Sequence, residues 1–141
     1  DRLDTALQYL ETAEKDLPIV VSGGQGPDEP VSEAQAMKDY LVEQGFAIER
    51  ETMLKEEGKY YVVMDVVRGQ MESLKPWESL YGPLLLTEKN PVLAELLQKE
   101  KILCESILKG LAGQESESAG KRAEELRKQI RWIEEAQHEM Q

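Results

Sequence analysis

Apolar residues recur along this chain with two periods, and the switches between them mark out its elements. Leu3, Ala6, Leu7 and Leu10 fall at i, i+3, i+4 and i+7, one stripe of a helix over residues 2–15. Pro18 to Ser22 is a short β-rich run that reads as a buried strand. The breaker cluster Gly23-Gly24-Gln25-Gly26-Pro27 then predicts a loop. Ser32, with Gln35 three residues later, is a capping-box pattern. It opens a helix through Ala34, Met37 and Leu41, which Gly45 is placed to end.

Phe46 to Leu54 and Lys59 to Val67 read as strands. The short polar link Lys55-Glu56-Glu57-Gly58 favours an antiparallel hairpin. Tyr60 to Val67 is nearly continuous in apolar and aromatic residues, which suits a central strand covered on both faces. The more mixed Phe46 to Leu54 suits an edge. Residues 70–89 form a connector with a short helix around Pro76 to Tyr81. Asn90-Pro91 then starts a long helix, with Asn as cap and Pro at the first helical position. Leu93, Leu96, Leu97, Leu103, Ile107 and Leu111 line it, and Gly110 and Gly113 end it. The polar loop Gln114 to Gly120 reverses the chain. The last helix carries Ala123, Leu126, Ile130, Ile133, Gln137 and Met140, in steps that alternate three and four. The two arms, each roughly 30 Å long, form an antiparallel helical hairpin. Two helices alone bury little, so the seam is expected to extend onto a partner or onto the α/β part.

Charge changes the picture at the front of the chain. The net charge of the 141 residues is −11, and residues 1–45 hold ten acidic and three basic side chains. Binding a polyanion relies on Lys and Arg displacing counterions, so a chain this acidic is a poor stand-alone nucleic-acid binder. Its bases gather only on the last helix, as Lys121, Arg122, Arg127, Lys128 and Arg131, with Glu124, Glu125, Glu134 and Glu135 interleaved. Lys121, Arg127, Lys128 and Arg131 are the candidate RNA contacts, against the plainer reading of a solvated charged face. The single cysteine, Cys104, excludes an internal disulfide and reads as a buried reduced thiol. No run of about 20 apolar residues could span a membrane, and no basic start followed by an apolar run marks a secretion signal. A cytoplasmic setting is expected. The chain opens on Asp1 rather than Met, which reads as a trimmed start.

Candidate chemistry is sparse. Val20 to Gly26 ends a strand and leads toward a helix, the setting in which glycines let backbone N–H groups approach an anion. The spacing matches neither a Walker loop nor GxGxxG, and Asp28, Glu29 and Glu33 would repel an anion there. Those three acids could instead hold a divalent cation, but their spacing is unlike an EF-hand, and no metal is expected. His138 has no Cys or Asp companion at ligand spacing. Trp77, Tyr81 and Trp132 could stack on bases, though packing of the connector and the hairpin suits them better. No nucleophile–base set stands out, so no catalytic residue and no cofactor are expected.

Two resemblances follow. Ile19-Val20-Val21-Ser22-Gly23-Gly24-Gln25-Gly26, then Pro30-Val31-Ser32-Glu33-Ala34, Met37, Tyr40-Leu41 and Gly45, resemble the ElyC/SanA/YdcF-type family of bacterial envelope-associated α/β proteins. That resemblance covers about a third of the chain and implies that Ser22, Gly23, Gly24, Gly26 and Glu33 line a ligand pocket. The family's preceding strand and its downstream acidic, Ser, Thr and Asn motif are absent. From Leu41 onward the chain resembles the C-terminal third of TrmK-type bacterial tRNA (adenine-N1)-methyltransferases. Gly45-Phe46, Glu56-Glu57-Gly58-Lys59-Tyr60-Tyr61, Tyr81-Gly82-Pro83 and Lys89-Asn90-Pro91-Val92 carry this, with the charged hairpin. It implies a Rossmann-like S-adenosylmethionine domain followed by a coiled-coil-like domain that helps engage tRNA. The family's cofactor and target-adenine residues lie in a half without counterpart here.

Together these imply an α/β fold with a partial Rossmann-like three-stranded sheet. Tyr60–Val67 lies antiparallel between Pro18–Ser22 and Phe46–Leu54. Residues 1–70 form a truncated Rossmann-like unit, 71–90 a connector and 91–141 a helical-hairpin domain. The outer edge of Pro18–Ser22 is open, which invites pairing with another chain, so a homo-oligomer through that edge or the hairpin is expected. The leading expectation is an engineered or recombined chimera, joined near Gly45, with a structural role and no native catalysis. The alternatives are a truncated relative of the tRNA methyltransferase whose hairpin contacts tRNA, and an envelope-family small-molecule binding module.

Overall fold

Burial alternates along Lys59–Arg68: Tyr60, Val62, Met64 and Val66 are buried, and Tyr61, Val63, Asp65 and Val67 are half-buried. A period of two is what a strand imposes on its side chains. The computed structural model describes residues 19–24 and 37–141. Among them the elements run β1 (Ile19–Gly24), α1 (Lys38–Glu43), β2 (Phe46–Glu56), β3 (Lys59–Arg68), α2 (Pro76–Tyr81), α3 (Pro83–Thr87), α4 (Pro91–Leu111) and α5 (Glu117–Glu139). The expected helix over 2–15, the loop beyond Gly24 and the Ser32–Gln35 capping box lie outside the described residues.

The sheet has the order β1-β3-β2 and is antiparallel at both junctions. The three-stranded arrangement with a central antiparallel strand is therefore as the sequence implies. Coverage of the two faces is unequal, contrary to the expectation for β3. Val20 and Leu54, paired with Asp65 and Tyr61, are 65% and 53% exposed on the less covered face. β2 and β3 join through Glu57 and Gly58, at φ 51° and 78°. Two positive φ values in succession are what the tight hairpin turn between twisted strands demands.

The covered face carries the core. Leu41 from α1, Phe46 and Met53 from β2, and Met64 from β3 meet Leu85 and Leu86 of α3, Leu93 and Leu97 of α4, and Leu126 and Ile133 of α5. Gly45, at φ 87°, ends α1, and its N–H donates to the Val42 carbonyl at 3.2 Å. Its own carbonyl accepts from the Gly69 N–H at 3.0 Å, beyond the end of β3. Gly45 is thus a helix stop stitched into the sheet, with Leu41 and Phe46 on either side in one core.

Gly82, at φ 99°, turns the chain between α2 and α3, and Pro83 opens α3, a helix that the connector did not announce. Asn90 caps α4 as expected, its Oδ1 accepting from the N–H groups of Val92 and Leu93 at 2.9 and 3.0 Å. Helices α4 and α5 run antiparallel: Gln98, early in α4, accepts from Gln137, late in α5, at 3.3 Å. The buried seam of α4 differs from the expected one. Cys104 is buried, whereas Leu103 is 58% and Ile107 37% exposed.

Candidate nucleic-acid interface

Helix α5 starts where the Ser116 Oγ accepts from the Ala119 N–H at 3.1 Å, satisfying one of the donors that a helix start leaves free. Ala119, Ala123, Leu126, Ile133 and Ala136 are buried. That side being committed to the core, Lys121, Arg127, Lys128 and Arg131 are all exposed. Lys128 and Trp132, four residues apart, share a stripe with Lys121, and Arg127 and Arg131 form the adjoining one. Lys121 to Arg131 spans about 15 Å of helix. The Lys128 ammonium stands 4.8 Å from the centroid of the Trp132 ring, within cation–π range. Arg122 is engaged with Glu125 at 3.5 Å. Among the described residues, Lys121, Arg127, Lys128 and Arg131 make no ion pair, so these four cations face solvent.

The base of this arm is tied to the sheet and the connector. Lys55 of β2 pairs with Glu95 of α4, and the Tyr60 hydroxyl donates to the same carboxylate at 3.3 Å. The Lys55 hydrogen bond holds the Glu95 carboxyl below the usual carboxylate range, and Glu95 in turn raises Lys55. The Lys55 and Lys99 ammonium groups each lie 5.6 Å from the Tyr60 ring centroid. Trp77 of α2 donates through its indole N–H to Glu139 of α5 at 3.1 Å. Tyr81 is buried, and burial, with Glu100 beside it, pushes its phenol up. Trp77 and Tyr81 are therefore packing residues. Cys104 is buried as well, and burial followed by Glu100 raises its thiol.

A second polar cluster lies inside the core. Lys38 and Glu51 have fully buried side chains 3.0 Å apart. The other Glu51 oxygen accepts from the Leu84 N–H at 2.8 Å, capping α3 from outside it. A Cβ on Gly82 would fall 2.5 Å from Glu51 Oε2, so the glycine makes room for the carboxylate. Burial lowers the Lys38 pKa, although Glu51 and Asp39 act to raise it.

The glycine-rich candidate looks different from its expectation. β1 extends through Gly24, with Ser22, Gly23 and Gly24 opposite Val63, Val62 and Tyr61. Gly23 and Gly24 are thus ladder positions rather than loop. The ladder continues because β3 presents partners as far as Tyr61. Gly26 and Glu33 lie outside the described residues.

The sequence model of the TrmK family, tRNA (adenine(22)-N(1))-methyltransferase, matches residues 29–135. The chain belongs to this family. Similar solved structures include a putative tRNA (m1A22) methyltransferase of Streptococcus pneumoniae, 28% identical, with a TM-score of 0.72. That likeness covers 95% of this chain and 54% of the other. TrmK of B. subtilis, an m1A22 tRNA methyltransferase, is 21% identical with a TM-score of 0.69, over 95% and 57%. An uncharacterized Listeria monocytogenes protein is 17% identical with a TM-score of 0.76, over 95% and 55%. The latter two speak for the fold alone. This TrmK-family chain spans about half the length of those structures. No curated protein matches it.

The TrmK match begins at residue 29 and runs across Gly45. It overturns the expectation of a chimera joined there, and with it the reading of a structural composite without native catalysis. In physical terms, a glycine that stops a helix and bonds into the sheet makes a continuous unit look like a boundary. The chain also holds the Lys38–Glu51 pair, which sequence reading missed. A lysine in one element and a glutamate in the next carry no spacing signal. No helix among the described residues is long and apolar enough to cross a membrane.

Proposed function

We propose that this chain serves S-adenosylmethionine-dependent methylation of the N1 atom of an adenine in tRNA, with the exposed side of α5 as its tRNA contact. The observation that carries this is a row of exposed cations, Lys121, Arg127, Lys128 and Arg131, in a chain of the TrmK family. A Streptococcus pneumoniae relative, 25% identical, was solved with S-adenosyl-L-methionine, and M. capricolum TrmK with S-adenosyl-homocysteine.

Each Lys or Arg set against a phosphate releases condensed counterions, which supplies affinity without reading sequence. The arm suits that task because its side toward α4 is apolar and its outer side is charged. The acids between the bases limit the number of phosphates it neutralises, so the contact is local. When bound, S-adenosylmethionine supplies the electrophilic methyl group. Among the described residues the best glycines for cradling it, Gly23 and Gly24, are strand positions facing Val62 and Tyr61. As ladder positions they do not fit that role.

The test is fluorescence anisotropy with tRNA over a salt series. The triple variant Arg127→Ala, Lys128→Ala, Arg131→Ala should weaken binding and reduce the slope of log affinity against log salt by up to about 0.9 for each lost phosphate contact. Equal affinity and slope in native and triple-variant protein would remove α5 as the contact.

A further inference from the structure

Strand β2 carries one residue more than its partner needs. Ile48 lies opposite Val66 and Arg50 opposite Asp65, which leaves Glu49 unpaired. Such a bulge reverses the faces of the residues that follow it. Phe46 and Ile48 are buried before it, and Glu51 and Met53 after it.

We propose that the charge order Arg50–Glu51 is a register latch, holding β2 in its bulged pairing against a straight pairing that much of the hairpin would accept. In the straight pairing the register of Phe46 with Arg68 and Ile48 with Val66 continues to the turn. Arg50 then falls opposite Met64, the place Glu51 now occupies. Thr52 falls opposite Val62 and Leu54 opposite Tyr60.

The apolar pattern does not choose between the two. The bulged pairing turns Met53 inward and leaves Leu54 53% exposed, and the straight pairing reverses the two. The turn does not favour the bulge either. It holds Glu57 at φ 51°, a region that costs a residue with a Cβ. The straight pairing would set Lys55 against Lys59 across a loop of Glu56, Glu57 and Gly58. Such a loop needs only its glycine left-handed.

The inward position opposite Met64 makes the difference. Glu51 there meets Lys38 at 3.0 Å and accepts from the Leu84 N–H at 2.8 Å. Arg50 in its place would set a second cation beside a buried lysine and aim donors at a donor. On the outer face, Arg50 lies 3.7 Å from Asp65. Both charges therefore favour the bulge. The same latch joins α1, β2 and the start of α3. Helices α2 and α3 contact α5, so the register bears on the seat of the arm.

Arg50→Glu tests this by giving either pairing a carboxylate beside Lys38. Backbone NMR of this variant should show interstrand contacts from Thr52 to Val62 as well as, or instead of, those to Val63. The charge swap Arg50→Glu with Glu51→Arg should move Thr52 wholly to Val62 and Leu54 to Tyr60. Should the swap fail to fold, Arg50→Glu alone decides, since it retains the Lys38–Glu51 pair. Contacts from Thr52 confined to Val63 in Arg50→Glu would overturn the latch.

Discussion

Lys38 is a cation with no solvent-facing surface and one carboxylate within reach. Burial lowers its pKa below the ordinary lysine value. Between that lowered pKa and the ordinary one, the unfolded chain binds the extra proton, so stability should rise with pH in that window. Urea titrations across the alkaline range should show this rise in the native protein and a flatter profile in Lys38→Met. At neutral pH the same substitution should cost about 3–5 kcal/mol, because it strips the buried Glu51 carboxylate of its cationic partner. Gly82→Ala should cost more than about 1 kcal/mol in the same assay. A side chain at φ 99° is strained, and its Cβ would meet Glu51. The Tyr81-Gly82-Pro83 string was visible in the sequence, but its reason, a carboxylate arriving from a strand thirty residues away, was not.

At the scale of elements, the Asn90 start of α4 and the Gly45 end of α1 were read correctly, whereas α5 begins at Glu117, inside the expected loop Gln114–Gly120. Asn90 caps α4 through two N–H groups, and Asn90→Ala should cost about 1 kcal/mol in urea unfolding. Helix faces were read less well. α4 carries apolar residues on more than one side, so periodicity alone could not say which side meets α5. The structure buries Leu97 and Cys104, with Leu108 and Leu111 packed against the core, and leaves Ile102, Leu103 and Ile107 toward solvent. Leu97→Ala should therefore cost about 2–5 kcal/mol. Leu103→Gln should stay within about 0.5 kcal/mol of the native chain. Thermal and urea denaturation of the pair would separate the two faces. β1 was read two residues too short at its end, because Gly23 and Gly24 signal a break locally while β3 offers them ladder partners.

For the whole molecule, the Lys55–Glu95–Tyr60 contact joins the sheet to α4, and Trp77–Glu139 joins α2 to α5. The net charge of −11 argued against a polyanion partner, and α5 exposes Lys121, Arg127, Lys128 and Arg131 with Glu124, Glu125, Glu134 and Glu135 equally exposed among them. The salt dependence of tRNA binding belongs to this scale. Lys121→Ala, on the stripe of Lys128 and Trp132, should reduce the salt slope by about 0.9 if it meets a phosphate, while leaving the urea midpoint unchanged.

By itself the sequence determined the two strands of the hairpin, the antiparallel central strand, the Asn90 cap of α4 and the likeness of its later part to TrmK. Each of these rests on neighbours within a few positions, where propensity and periodicity act. Tertiary structure decided the rest: the bulge that turns Glu51 inward, the buried Lys38 that meets it, and the side of α4 that faces α5. Those outcomes depend on charges and surfaces brought together from distant positions, and burial magnifies their energies after the chain has closed around them.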